Sequence, residues 1–172
     1  LPFADGSLDW AISVDCAGVI SVDPVATLSE MGRVVRPGGT VAIAVWSSQM
    51  LLPGHPLTEA TLNTTSAGIA PFSASMKPDR HILRAGGWFT GAGFRRVEAR
   101  TFIGNITSPL GPGVREALAD LFAMRWGGAR GEVSDETWAE YLRLCDPSSP
   151  DFIADIPCYC AFFTYTMFSG TR

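Results

Sequence analysis

The chain has 172 residues, of which 47% are hydrophobic and 17% are charged, so it can bury a core of its own and intrinsic disorder of the whole chain is excluded. Its formal net charge of -4 gives no general attraction to phosphate backbones or anionic lipids, so neither nucleic acid nor a membrane is an expected partner. No apolar run approaches the roughly 20 residues that cross a bilayer, and residues 1–9 lack a signal-like pattern, so we expect a cytoplasmic protein.

The first part of the chain has the pattern strand, helix, strand. A nearly continuous apolar run over Leu8–Val14 is typical of a strand that is covered on both faces. Asp23 and Pro24 mark a helix start, because Asp caps free amide groups and Pro loses no hydrogen bond at the first helical position. Residues 37–39 end this helix, and residues 40–46 form a second apolar strand. The short connections predict a βαβ unit with parallel strands.

The rest of the chain mixes irregular stretches with helical and strand patterns. Residues 47–78 contain many Pro and Gly residues around a short helix at 57–63, and irregular segments that follow a strand often form lids. The predicted elements that follow are a helix over 79–90, a strand over 97–103, amphipathic helices over 114–122 and 134–145, and an apolar strand over 156–168.

Two sequence motifs in this order resemble those of a known family. The first reads LPFADGSLDWAISVD and ends at Asp15, and the second reads LSEMGRVVRPGGTVAIAVW and ends at Trp46. Together they are similar to motifs of class I S-adenosylmethionine-dependent methyltransferases of the small-molecule type, related to ubiquinone-biosynthesis enzymes. The segment GAGFRRVEARTF, which ends at Phe102, resembles the lead into that family's sixth strand, and residues 156–168 resemble its seventh, antiparallel strand.

The resemblance implies a Rossmann-like, doubly wound α/β sheet that is mostly parallel with an antiparallel last strand. It implies one methyltransferase-like domain over residues 1–172, with lid and acceptor segments at about 47–78 and 108–150. The implied activity is methyl transfer from S-adenosylmethionine to a small-molecule acceptor by in-line displacement, without a metal ion. The alternative is a non-catalytic, truncated fold of this type that binds a partner chain.

The family's glycine-rich loop, which holds the cofactor, has no counterpart in these residues. The resemblance therefore implies the carboxyl-terminal portion of a domain that is truncated at its amino-terminal side, and an isolated chain with little cofactor binding. The sheet would then have an open apolar edge. A preceding segment or a second copy of the chain, in a homo-oligomer, would cover that edge.

Candidate cofactor residues follow from the resemblance and from the strand ends. The six candidates are Leu1, Pro2, Phe3, Val14, Asp15 and Cys16. The first three match the family segment beside the adenine, although Phe3 would equally plug the end of the sheet. The last three lie at the carboxyl end of the first strand, the edge where open α/β sheets place ligands. Asp15 is also a candidate catalytic residue that orients a nucleophile or acts as a base, and a turn cap is its alternative role.

Candidate acceptor residues lie at and after the end of the second strand. Trp46, Ser47 and Met50 would border the acceptor, with core packing as the alternative for Trp46 and Met50. His55 lies on the predicted lid and is the candidate general base, because imidazole exchanges protons near neutral pH. An exposed loop histidine is the alternative for this residue.

The cysteine pattern does not indicate a metal site. The four cysteines are Cys16, Cys145, Cys158 and Cys160, and the two histidines are His55 and His81. The cysteines form no CxxC pair and lie far along the chain from both histidines, which argues against structural zinc. We expect buried thiols that pack as small hydrophobic groups.

Overall fold

The computed structural model describes residues 1–16, 23–70 and 76–172, which form a mixed α/β fold. The described strands are β1 (Leu8–Val14), β2 (Val35–Met50), β3 (Arg95–Thr107) and β4 (Cys160–Thr171), in one sheet with the order β1-β2-β4-β3. The described helices are α1 (Pro24–Val34), α2 (Pro56–Asn63), α3 (Ser66–Ile69), α4 (Ala85–Gly91), α5 (Pro112–Trp126) and α6 (Asp135–Cys145). The part of the predicted lid at 71–75 lies outside the described residues.

The predicted βαβ unit is present. The Asp23 side chain accepts hydrogen bonds from two amides of the first turn of α1, and Pro24 occupies the first helical position. Strands β1 and β2 are parallel, with Ala11 opposite Val41. Each part of this unit therefore follows from a local signal in the sequence.

Strand β2 begins earlier than expected, directly after α1, and bulges near its start. Leu8 pairs with Val35 but Trp10 pairs with Thr40, so β2 has extra residues over this stretch. A Cβ atom on Gly39 would lie 2.6 Å from the carbonyl oxygen of β1 residue Asp9. Glycine is therefore required where the bulge brings the two backbones together.

Strand β4 runs antiparallel to β2. The Gly38 amide donates to the Arg172 carbonyl at 2.9 Å, whereas the Ser47 hydroxyl lies 2.8 Å from that of Thr164. Residue numbers therefore rise along one strand as they fall along the other. The last strand is antiparallel to its neighbour, as the resemblance implies.

Strand β3 is the other neighbour of β4 and also runs antiparallel to it. Thr101 and Thr166 hydroxyls lie 3.0 Å apart, and just past the strand the Ser108 amide donates to the Tyr159 carbonyl at 2.9 Å. Strands β1, β2 and β3 thus share one direction and β4 opposes them.

Two further predicted elements differ from the structure. The helix expected over 79–90 is wrong in its first half, where short 3-10 turns at Pro78–Arg80 and Ile82–Arg84 precede α4. His81 between these turns has extended backbone angles, which break the helix. The last strand starts at Cys160 instead of 156, because Cys158 adopts a positive φ of 58°.

The chain divides into two compact units. The first comprises Leu1–Ser48, Ala74–Ile103 and Thr164–Arg172. In this unit α1 packs against α4, and Phe89 of α4 contacts Phe94 edge to face at 5.2 Å between ring centroids. The second comprises Gln49–Ser73 and Gly104–Phe163 and has its own core, in which Phe122 stacks on Trp126.

The expectation that β1 is covered on both faces is wrong for the described chain. The side chains of Trp10, Ile12 and Val14 are 59%, 62% and 57% exposed. These alternate residues point to one face of the strand, so one face of β1 is open and apolar.

The expectation of buried thiols holds only for Cys145. Cys16, Cys158 and Cys160 are exposed, whereas burial in the second unit raises the pKa of the Cys145 thiol. The exposed cysteines lie at or beside strand ends. Over the described residues, no helix combines the length and apolar character that crossing a membrane requires.

Candidate functional site

Asp15 lies immediately after β1 and connects three strands of the first unit. Its amide donates to the Ala44 carbonyl at 2.9 Å, and its φ of 49° is unusual for a residue other than glycine. Its Oδ1 atom accepts from the Trp46 amide at 2.9 Å, and its Oδ2 atom accepts from the Tyr165 hydroxyl at 2.5 Å. The carboxylate is thus held by β2 and β4.

Tyr165 is the side-chain partner of Asp15. Burial, and then the hydrogen bond to Asp15 and its negative charge, raise the pKa of Tyr165 to about 12. The Tyr165 ring also meets the Trp46 ring edge to face at 5.8 Å between centroids. Tyr165 therefore remains a neutral hydrogen-bond donor at physiological pH. A carboxylate offers about four acceptor positions, so Asp15 retains acceptor capacity beyond the two donors found among the described residues.

Ser47 belongs to a chain of hydroxyl groups that crosses the sheet. Its Oγ atom lies 2.8 Å from the hydroxyl oxygens of both Thr164 and Thr166. The hydroxyl of Thr166 in turn lies 3.0 Å from that of Thr101. The network joins β2, β4 and β3 within the first unit and fixes the Ser47 side chain.

Residues 1–3 are held against α1. The Arg33 guanidinium donates to the carbonyl oxygens of Leu1 and Phe3 at 3.1 Å and pairs with Glu30 at 2.8 Å. Arg33 holds the pKa of Glu30 down to about 2, so this pair stays charged. The side chains of Leu1 and Phe3 remain about half exposed, and Pro2 is exposed as well.

An open cavity of about 710 Å³ lies beside β1 and α1, and three of the six predicted cofactor residues line it. Leu1, Phe3 and Cys16 line it together with the open face of β1, including Trp10 and Ile12. Asp15 and Val14 are not among its lining residues. Its walls are mostly apolar and aromatic, so they suit a planar ring or a sulfonium group, to which aromatic faces contribute cation–π attraction.

The remaining predicted residues, Met50 and His55, belong to the second unit. Met50 is half exposed at the end of β2. The Nδ1 atom of His55 lies 3.0 Å from a carboxylate oxygen of Glu140, and the His55 side chain is 31% exposed. The structure therefore places His55 and Met50 in one unit, and Asp15, Trp46 and Ser47 in the other.

Sequence reasoning missed Tyr165, Glu140 and Glu59. Tyr165 meets Asp15 across 150 positions of the chain, so no local spacing indicates the pair. Glu59 is buried, and its carboxylate accepts hydrogen bonds from the amides of Leu51 and Leu52. The sequence around Glu59 does not predict its burial, because only the tertiary fold places its carboxylate next to the amides of Leu51 and Leu52.

Residues 1–43 match the family model described as a methyltransferase domain. A demethylmenaquinone methyltransferase from Beutenbergia cavernae is 40% identical over 82 residues, which make up 47% of this chain and 33% of that protein. The chain therefore spans about a third of the length of this curated relative.

Solved structures with a similar fold include two bacterial proteins. One from Anaeromyxobacter dehalogenans, provisionally classed as a type II methyltransferase, aligns with a TM-score of 0.54 and 18% identity over 99% of this chain and 66% of its own. One from Anabaena variabilis, provisionally classed as a methyltransferase of an antibiotic biosynthesis pathway, aligns with a TM-score of 0.52 and 16% identity over 100% of this chain and 69% of its own. At these identities the likeness shows the fold.

Proposed function

We propose that this chain, which belongs to the class I S-adenosylmethionine-dependent methyltransferase domain family, takes part in methyl transfer to a small-molecule acceptor. The observation that carries the proposal is the family match over residues 1–43, which include β1 and Asp15 directly after it. Open α/β sheets bind their ligands at this carboxyl edge. Because the chain spans a third of its curated relative, the activity of the whole protein is part of the proposal.

The first unit contains the residues that we propose bind the cofactor. S-adenosylmethionine, when bound, supplies a methyl group that its positively charged sulfur already activates. Leu1, Pro2 and Phe3 would contact the adenine, and Val14, Asp15 and Cys16 the ribose and sulfonium region. The donors on Asp15 leave acceptor capacity for ligand hydroxyl or ammonium groups. The apolar cavity lined by Phe3 fits a planar base, so these residues suit the cofactor.

Acceptor recognition is proposed for Trp46, Ser47 and Met50 and for the second unit. That unit consists of two segments that overlap the predicted lid and acceptor segments at 47–78 and 108–150. His55 would take a proton from the acceptor where the acceptor must lose one before it attacks. The protein otherwise has to align the reactants and exclude water, and alignment alone can contribute roughly 7–11 kcal/mol.

A methyl-transfer assay tests this function. The protein as its gene encodes it is incubated with methyl-labelled S-adenosylmethionine and demethylmenaquinone, the acceptor for which the Beutenbergia cavernae relative is named. We expect labelled acceptor, and a rate about 100-fold lower in His55→Gln. His81→Gln, which changes the other histidine, is the matched control. The absence of S-adenosylhomocysteine formation by the unchanged protein would refute the proposal.

A second candidate function is partner binding without catalysis through the open face of β1. The exposed apolar side chains of Trp10, Ile12 and Val14 support it. Among the described strands β1 pairs with β2 alone, which leaves its outer edge for another strand. If this second function is correct, the unchanged protein self-associates in sedimentation velocity and Ile12→Lys abolishes that association. Neither the unchanged protein nor the Ile12→Lys variant then binds S-adenosylhomocysteine.

A further inference from the structure

The backbone that carries His55 is fixed by a closed set of hydrogen bonds. Gly54 supplies a positive φ of 89° for the turn, and the His55 amide donates to the Leu52 carbonyl at 2.9 Å. The amide of Glu59 donates to the His55 carbonyl at 3.1 Å, while the Glu59 carboxylate accepts from the Leu52 amide at 2.9 Å. Because Glu59 is buried, this turn cannot shift without breaking buried bonds.

The imidazole of His55 points away from its own helix. His55 occupies the N-cap position of α2, where side chains commonly accept hydrogen bonds from helix amides, yet it makes no such bond. Its Nδ1 atom instead lies 3.0 Å from Glu140 Oε1, on helix α6 of the same unit. The ring orientation is therefore set by Glu140.

Glu140 is itself held in place and charged. Arg143 donates to both of its carboxylate oxygens, at 2.8 and 2.7 Å, and also pairs with Asp151 at 3.3 Å. The hydrogen bond from Arg143 lowers the pKa of Glu140, so this group is a carboxylate at neutral pH. A carboxylate can only accept a hydrogen bond, so neutral His55 must carry its proton on Nδ1.

The charged groups around this imidazole have defined partners. On the α6 side Glu140 faces it directly, with Arg143 and Asp151 behind. On its own helix the Glu59 carboxylate is engaged by the amides of Leu51 and Leu52. Among the described residues, Glu140 is thus an ionised group within hydrogen-bond distance of the ring.

We propose that Glu140 is a positioning residue for His55, which keeps the neutral ring protonated on Nδ1 and leaves Nε2 as the proton-accepting atom. This inference rests on the proposed function, in which His55 serves as the base. The acceptor would then be a molecule with an ionisable O–H or N–H group. Its proton would pass to Nε2, and the electron pair left on the acceptor atom would form the new bond to the methyl carbon. The carbon–sulfur bond of S-adenosylmethionine would break at the same time, with its electron pair leaving on the sulfur of S-adenosylhomocysteine. The resulting imidazolium would lie beside the Glu140 carboxylate. Release of the proton to water restores the base.

The other histidine provides an internal contrast. The Nδ1 atom of His81 accepts a hydrogen bond from the Leu83 amide at 3.2 Å. A nitrogen that accepts cannot carry the proton, so neutral His81 is protonated on Nε2. The two histidines of the chain are therefore expected to differ in their neutral form, with the proton on Nδ1 in His55 and on Nε2 in His81.

Nitrogen-15 NMR of the imidazole rings tests the inference, at a pH of about 8.5 where imidazole is mostly neutral. We expect His55 to show the Nδ1–H pattern and His81 the Nε2–H pattern. Glu140→Ala should convert His55 largely to the Nε2–H form, whereas Glu140→Gln, whose amide oxygen can still accept, should retain the Nδ1–H form. Glu136→Ala, which changes an exposed residue in the first turn of α6, should leave both rings unchanged.

The outcomes separate this inference from the proposed function. An Nε2–H pattern for His55 in the unchanged protein, or no change in Glu140→Ala, overturns the inference even where methyl transfer from S-adenosylmethionine occurs. The expected patterns in a protein that forms no S-adenosylhomocysteine overturn the proposed function and the role of His55 as a base, while the orientation of His55 by Glu140 stands.

Discussion

At the scale of single residues, the candidate site depends on how carboxylates are held. Asp15 keeps a left-handed backbone because its amide and both of its carboxylate oxygens are engaged by Ala44, Trp46 and Tyr165. A left-handed conformation costs a residue with a Cβ atom free energy, which surrounding bonds must offset. Such an arrangement fixes the direction in which the carboxylate presents its remaining acceptor positions to a ligand.

The Asp15→Asn variant tests the contact with Tyr165. It removes the negative charge that contributes to the raised Tyr165 pKa of about 12, so the pKa should move toward the ordinary value of about 10. Tyrosinate absorbance during an alkaline titration measures this change, and with three tyrosines in the chain about a third of the signal should shift. Asp9→Asn on the same strand is the control. A titration curve unchanged in Asp15→Asn would contradict the contact.

The same contact predicts how stability depends on pH. Tyr165 ionises near pH 10 in an unfolded chain and near pH 12 in the folded one. The neutral hydroxyl therefore contributes stability that is fully present below about pH 10 and is lost as the pH rises toward about 12. Thermal unfolding across this range should show a fall in stability that is smaller in Asp15→Asn.

At the scale of elements, helix starts are determined by neighbouring residues in the sequence, whereas the need for a glycine is determined by the tertiary structure. The starts of α1 and α6 follow from Asp23 and Ser134, whose side chains accept hydrogen bonds from first-turn amides. The structure confirms these two predictions. The role of a glycine depends instead on what faces it in the folded chain.

Two glycine substitutions test this difference. A Cβ atom on Gly86 of α4 would meet no atom within 4 Å, whereas one on Gly104 of β3 would lie 2.4 Å from the Phe163 ring. Gly86→Ala should therefore raise the free energy of unfolding by about 0.5–1 kcal/mol through helix propensity. Gly104→Ala should lower it by about 1–3 kcal/mol through overpacking. Urea denaturation measures both, and equal effects of the two variants would contradict the described packing.

At this scale the sequence predicts features that depend on neighbouring residues, but not those that depend on residues far apart along the chain. Periodicity and caps predicted α1, α2, α5 and α6, but the stretch over 79–90 has helical spacing and is nevertheless divided by extended backbone at His81. The pairs of Asp15 with Tyr165 and of His55 with Glu140 join distant parts of the chain. Their partners could not be identified without the fold, because nothing in local spacing selects them.

At the scale of the whole molecule, the strand directions agree with the resemblance. Three described strands run in one direction, and the last strand lies between two of them and runs in the opposite direction. The resemblance implied such an antiparallel last strand. The second unit, with its own core, contains His55 and most of both proposed acceptor segments. The first unit contains the family match and the candidate cofactor residues. Function is therefore proposed as divided between the two units.

The central claim is that the residues at the end of β1 bind the cofactor, and a calorimetric titration with S-adenosylhomocysteine tests it most directly. In the protein as its gene encodes it, we expect saturable binding that is weakened at least about tenfold by Asp15→Ala, since a hydrogen bond to a charged group contributes roughly 1.5–3 kcal/mol. Asp9→Ala, at the opposite end of the same strand, should bind like the unchanged protein. No binding by the unchanged protein, or equal affinity in Asp15→Ala, would contradict the claim.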